Sequence, residues 1–202
     1  PYAERVRFGK NGSDALSAAI RLARAHTKRD KILVSGYHGW HDWYIGSTSR
    51  NLGVPKAIAE LTKKFIFNDI DSLKKVLKDN NYNFAAIVVE PDGFIPPAPS
   101  YLQEIRSLCD KHGIILIFDE IVCGFRTNIG GAAKEYGVNA DLGCFGKALA
   151  NGYPLSAVVG SDKVMKKVED IFFSGTFGGE TLSLAAANAI IDKYKKVKVI
   201  KH

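Results

Sequence analysis

Three stretches constrain the fold more than anything else in the chain: "KILVSG" (31–36), "FAAIVVE" (84–90) and "GIILIFDE" (113–120). Each is a short apolar run without polar alternation, the pattern of strands covered on both faces. Helical segments separate them. "IDSLKKVLKDNN" sets Ile70, Leu73, Val76 and Leu77 three and four residues apart. "PSYLQEIRSLCDKHG" stops on Gly113. "GSDALSAAIRLARAHT" carries a small-residue face, and "VPKAIAELTK", "DKVMKKVED" and "TLSLAAANAIIDKYKKV" also read as helices. "RVRF", "KFIFND", "DLGCFG" and "LSAVVG" supply further short strands. This alternation predicts a three-layer α/β/α fold around a mostly parallel seven-stranded sheet. With 202 residues, 46% of them hydrophobic, the chain can bury one sizeable core. There is no internal repeat or low-complexity linker, so residues 1–202 read as one domain.

The net charge of +7 comes from lysines scattered over helix-like segments. The densest basic run, "KYKKVKVIKH", reads as a solvated helix face, and no aromatic-basic interleaving marks a nucleic-acid groove. Cys109, Cys123 and Cys144 are too few and too irregularly spaced for a disulfide framework or a zinc site. They read as packed free thiols, which suits a reducing cytoplasm. No run reaches membrane-spanning length. The chain opens on Pro1 and holds a single methionine, Met165, so a fragment of a longer protein is expected.

In a parallel sheet, ligands bind beyond the carboxyl ends of the strands. The residues there are Gly12-Ser13, Tyr37-His38, Glu90, Asp119-Glu120 and Lys147. "NGSDALSAAI" opens a helix directly after a strand, where free backbone amides and the helix dipole attract phosphate. An ordinary N-cap by Ser13 or Asp14 is the alternative. It is neither a Walker loop nor a GxGxxG fingerprint, so ATP and NAD are not indicated. "GYHGWHDWY" crowds His38 and His41 among aromatic residues. Tyr37 as a stacking platform fits better than a metal site, because no carboxylate-histidine set completes one. Lys147 stands in the apolar stretch "DLGCFGKALANGYP". It is either a desolvated nucleophile toward carbonyls or a lysine that snorkels to the surface. A strand-end acid, Asp119, near such a lysine suits a pyridine cofactor: the acid pairs with the ring nitrogen and the lysine holds the aldehyde as a Schiff base.

The chain resembles the class III aminotransferases, which depend on pyridoxal 5'-phosphate (PLP) and have the fold type I architecture. The resemblance rests on "NGSDALSAAIRLAR", "GYHGWHD", "VVEP", "IFDEIVCGFR", "DLGCFGKALANGYPLSAVVG" and "SGTFGGETLSLAAANA", in that order, and is greatest to the glutamate-1-semialdehyde 2,1-aminomutase branch. It implies that the chain covers the large, cofactor-binding domain, without the family's N-terminal segment and C-terminal small domain. By matching position it implies that Lys147 is the Schiff-base lysine and Asp119 the partner of the ring nitrogen. Tyr37 would stack on one ring face and Ile121 pack on the other, with Gly12 and Ser13 holding the phosphate. Thr176 would reach the cofactor phosphate of a neighbouring subunit, implying a homodimer. His38, Glu90 and Glu120 match positions near the cofactor, while Glu120 and Arg126 stay open between loop support and a direct role. The loop "EPDGFIPP", the "ANG" after the lysine and Glu180-Thr181 in place of Asn-Pro depart from the family pattern and bear on substrate. The expected activity is therefore PLP-dependent amino-group transfer, as in the aminomutase. The alternatives are an intermolecular transaminase acting on another amino or keto substrate, such as a sugar precursor, and a non-catalytic PLP-fold binding protein.

Overall fold

A computed structural model of the chain describes residues 2–201. Pro1 and His202, which belong to the fragment and basic-tail expectations, lie outside the described residues. The chain runs β1 (Arg5–Gly9), α1 (Gly12–Thr27), β2 (Ile32–Ser35), α2 (Asp42–Ile45), α3 (Lys56–Ala59), β3 (Thr62–Lys64), α4 (Ile70–Asp79), β4 (Ala86–Val89) and α5 (Tyr101–His112). It continues with β5 (Ile115–Glu120), α6 (Gly131–Tyr136), β6 (Leu142–Phe145), a 3-10 turn at Lys147–Leu149, β7 (Ser156–Gly160), α7 (Asp162–Met165) and α8 (Thr181–Lys196).

The strands form one sheet of order β1-β7-β6-β5-β4-β2-β3. Only β7 runs against its neighbours β1 and β6; the other pairings are parallel. The architecture is the expected α/β/α sandwich. On one face, Ala15, Leu16, Ala19, Leu22 and Ala23 of α1 pack with Ile32, Val34, Val88, Ile117 and Cys144 of the strands. On the other, Leu73 and Leu77 of α4 and Leu102, Ile105 and Cys109 of α5 pack with Leu33, Ile87, Leu116 and Phe118. Alanines on α1 let that helix lie close to the sheet, which brings its first turn over the strand ends. Gly113 ends α5 in the left-handed conformation (φ 61°), as the glycine stop predicted.

Three local expectations give way. The third strand is Thr62–Lys64 rather than "KFIFND", and the helix before it is only Lys56–Ala59. The parallel ladder decides both, because Ile32 pairs with Thr62 and its amide donates to the Leu61 carbonyl (2.8 Å), ending the helix there. Asp119 and Glu120 are the last two residues of β5, at the end of the run read as a strand. Short helices α2 and α6 also stand where the sequence read as loop. All three cysteines are buried and unpaired. No helix among the described residues is long and apolar enough to cross a membrane.

Candidate active site

Strands β2, β4, β5 and β6 are parallel, and β1 shares their direction because both β1 and β6 oppose β7. Their carboxyl ends therefore meet along one edge of the sheet. After β1, Asn11 is the extended N-cap of α1 (φ −108°, ψ 155°), and Asp14 Oδ2 accepts the Asn11 amide (2.8 Å). Neither Ser13 nor Asp14 is the cap residue. The Gly12 and Ser13 amides, first in the helix, have no intrahelical acceptor. A Cβ on Gly12 would meet Ile121 Cγ2 at 2.9 Å, so glycine is what lets the helix start close on Ile121.

After β2 the chain turns so that His38, 1% exposed, lies beneath the site. Its Nε2 donates to the Ser35 carbonyl (3.0 Å), and its Nδ1 faces Asp119 Oδ2 (2.8 Å). A carbonyl only accepts, so Nε2 carries a proton, and the Nδ1–Oδ2 contact needs a second one between its atoms. The His38–Asp119 pair thus keeps one shared proton and is neutral as a unit. Asp119 Oδ1 accepts the Ile121 amide (3.1 Å), which ties the wall residue to the acid. Tyr44 braces this corner: its hydroxyl donates to the Gly36 carbonyl (2.8 Å), and its ring meets the edges of Tyr37 and His38. His41 goes elsewhere, with Nδ1 2.7 Å from Ser17 Oγ, so the two histidines do not converge.

After β6, Lys147 has φ +39°, a left-handed conformation that costs a non-glycine residue about 1–3 kcal/mol. The side chain is exposed and opens into the cleft, the outward one of the two placements the sequence left open. Gly12, Ser13, Tyr37, Asp119, Ile121 and Lys147 surround this cleft of ≈ 170 Å³. Leu16, Gly39 and Val122 complete its lining, and the sequence reading missed them. Leu16 had a usable signal, being one helical turn beyond Gly12 on the same face.

Four expected site residues do not line the cleft. His38 lies behind Asp119, as above. Glu90 borders a neighbouring cleft with Ser35, Phe67 and Phe94; burial raises its carboxyl, and Asp119 adds to the shift. Glu120 is buried on the opposite face of the sheet, because side chains alternate along β5. Ile115, Ile117 and Asp119 take the α1 side, whereas Leu116, Phe118 and Glu120 take the α5 side. The Glu120 carboxyl accepts the Ala132 amide (2.7 Å), the loop support that was one of the two roles left open for it. Thr176 lies in a separate cleft of ≈ 560 Å³ bounded by Phe8, Lys10, Ser17 and Arg21. Arg126 donates from Nε to the Val122 carbonyl (2.6 Å), a bond within its own loop. Glu180, one of the departures, caps α8 by accepting the Leu182 amide (2.8 Å) and pairs with Lys10 (2.7 Å). These bonds, that from Lys10 first, lower its carboxyl to about 2.

The family model for class III aminotransferases matches residues 1–202. The chain belongs to the class III aminotransferase family. It is 40% identical to a 3-aminobutyryl-CoA aminotransferase of Cloacimonas acidaminovorans, covering 99% of this chain and 49% of the relative. It is 41% identical to a glutamate-1-semialdehyde 2,1-aminomutase of Chlorobium phaeobacteroides, covering 92% and 47%. Among solved structures, the FumI protein of Sphingopyxis sp. MTA144, in its PLP internal aldimine form, superposes with a TM-score of 0.92 at 32% identity, covering 99% of this chain and 50% of that one. The chain spans about half the length of the curated relatives it matches. The relatives thus include glutamate-1-semialdehyde 2,1-aminomutases, as the resemblance implied, and an aminotransferase at similar identity.

Proposed function

We propose that residues 1–202 are the cofactor-binding large domain of a PLP-dependent class III enzyme, and that the complete protein transfers amino groups at this cleft. The observation that carries the reading is the convergence of Lys147, Asp119 and the start of α1 on one cleft from three separate strand ends. The donor set fits PLP. Two unpaired helix-start amides suit a phosphate. Asp119 keeps acceptor capacity beyond its bonds to His38 and Ile121. An amine stands in the same space. When bound, PLP supplies an aldehyde for amine condensation and a ring that takes up the electron pair of a broken C–H bond.

The chain's own residues do the rest. Gly12 and Ser13 hold the phosphate end. Asp119, kept in place by His38 and the Ile121 amide, would accept the proton carried by the ring nitrogen in a hydrogen bond. Lys147 Nζ, at the end of a long side chain, would take the proton from the substrate carbon and return it to the carbon on the other side of the nitrogen. Tyr37, Ile121 and Val122 present the flat and apolar walls that exclude water. Titrating the complete protein with PLP is expected to raise an absorbance band near the visible edge. A folded wild-type protein with no band sinks the reading and leaves the non-catalytic alternative. Glutamate semialdehyde supplied alone then separates the two enzymatic readings. An aminomutase turns over without a keto acid, whereas an intermolecular transaminase stops after one half-reaction.

The reading includes a homodimer. Thr176 lines a different cleft from that of its own chain's Lys147 and sits beside the exposed Phe172 and Phe177, which suits a loop that reaches the phosphate in the second protomer. Thr176→Ala is expected to weaken PLP binding about tenfold, the loss of one hydrogen bond to a charged group. Sedimentation should still show a dimer, and unchanged PLP affinity overturns this assignment. The buried, unpaired thiols agree with a reducing compartment, and we place the protein in the cytoplasm.

A further inference from the structure

Glu120 faces away from the cleft, yet the loop that builds the cleft's apolar wall is fastened to it at both ends. Residues 121–130 carry Ile121 and Val122. At the near end, the Gly124 amide donates to the Glu120 main-chain carbonyl (2.9 Å). At the far end, the Ala132 amide donates to Glu120 Oε2 (2.7 Å). Gly131 makes the second fastening possible. It has φ +65°, and a Cβ there would stand 2.4 Å from Glu120 Oε2. The other carboxyl oxygen, Oε1, is buried without a protein partner, as is the Tyr2 hydroxyl. The two are neighbours, each perturbing the other's protonation, so the segment preceding β1 covers the carboxyl.

We propose that Glu120 is a positioning residue for the PLP site: its carboxyl, covered by Tyr2, latches the far end of loop 121–130 and so holds Ile121 and Val122 on the cleft wall. The inference deepens the functional reading and rests on it for the identity of the ligand. A residue serving only core packing would not need an acid here, since its neighbours Leu116 and Phe118 on the same face are apolar.

The latch also has a sense of pH. Burial raises the Glu120 carboxyl to about 7; the Ala132 amide and the Tyr2 hydroxyl pull it down, and Asp119 and Asp92 push it up. The titratable groups that act on it are Tyr2 from the N-terminal segment, Asp92 from the segment after β4 and Cys123 from the loop, with Asp119 and Cys144 acting from the other face of the sheet. Opening the loop to water would return the carboxyl toward its ordinary 4.5. The closed form therefore binds the proton more tightly. Its closure is fully present below about 4.5, weakens by up to about tenfold per pH unit from there to about 7, and is constant above, where both forms are ionised.

The test is hydrogen exchange of the amides of residues 122–132 in the complete protein, corrected for intrinsic rates, between about pH 5 and 9, together with PLP titration. Wild-type protection is expected to fall up to about tenfold per unit between about pH 5 and 7 and to level off above. Glu120→Gln keeps an acceptor for Ala132 and has no proton to lose, so its protection is expected to stay flat with pH. Glu120→Ala is expected to lose protection throughout and to bind PLP about tenfold more weakly. A Gln variant with the wild-type slope overturns the proposal, as does a folded Ala variant with a protected loop and wild-type affinity. If the Ala variant does not fold, the Gln comparison decides. If the wild type binds no PLP, the functional reading falls, and the exchange data still decide the latch.

Discussion

Lys147→Ala is expected to abolish the PLP absorbance band of the complete protein and to lower turnover by about 10⁴-fold or more. Both effects follow from one atom. Nζ is the amine that the cleft offers to an aldehyde, and it is the base placed to carry the proton between two carbons. Loss of general-base catalysis alone accounts for about 10²–10⁴-fold. Lys147→Arg is expected to fare no better, because a guanidinium stays protonated and cannot serve as a nucleophile. Folding should be unaffected, since the lysine side chain is exposed and alanine meets the same left-handed backbone. An alanine variant that keeps the band, or turns over within tenfold of wild type, removes Lys147 from the mechanism.

Asp119→Ala is expected to lower kcat/KM by about 10³-fold and to weaken PLP binding. It also destabilises the fold, which Lys147→Ala does not. The reason is His38. With Asp119 gone, a histidine 1% exposed is left with Nδ1 facing no acceptor, and its shared proton has no second owner. Removing one partner of a buried pair costs about 3–5 kcal/mol. The Ile121 amide loses its acceptor as well, so the cleft wall loosens. Asp119→Asn keeps the shape and an acceptor for that amide, and is expected to recover much of the stability but not the rate. Denaturant unfolding set beside kcat/KM separates the two effects. If the Asn variant works at the wild-type rate, Asp119 is a structural tie to His38 and nothing more.

These contrasts mark how far the sequence could be read. The buried strands were legible because an apolar run bounded by turns has few other uses, and α1 was legible to the residue. β3 was not, because its three residues are chosen by pairing with β2, a partner far away in sequence. Helix α2 has four residues and α6 six, too short to show a period. The second begins where the Glu120 carboxyl accepts the Ala132 amide, a contact no local pattern announces. At the site, Lys147, Asp119 and the Gly12-Ser13 helix start stood out because each is the wrong residue type for plain scaffold at a strand end. The surroundings of Lys147 did not: apolar neighbours in sequence left burial and exposure equally open, and the turn after β6 aims the side chain into open space.

By itself the sequence determined the strand and helix alternation, the layer architecture and the chemical types waiting at the strand ends. These are local properties, written in periodicity and in residue identity. The tertiary structure alone decided which of those residues meet. Asp119 and Glu120 are neighbours in sequence with the same functional group. Strand alternation turns one toward His38 and the cleft and the other toward Tyr2 and a loop latch. Alternation guarantees that they part. Which face receives α1 and which receives α5 depends on how the crossovers wind, and that is settled only when the whole sheet is assembled.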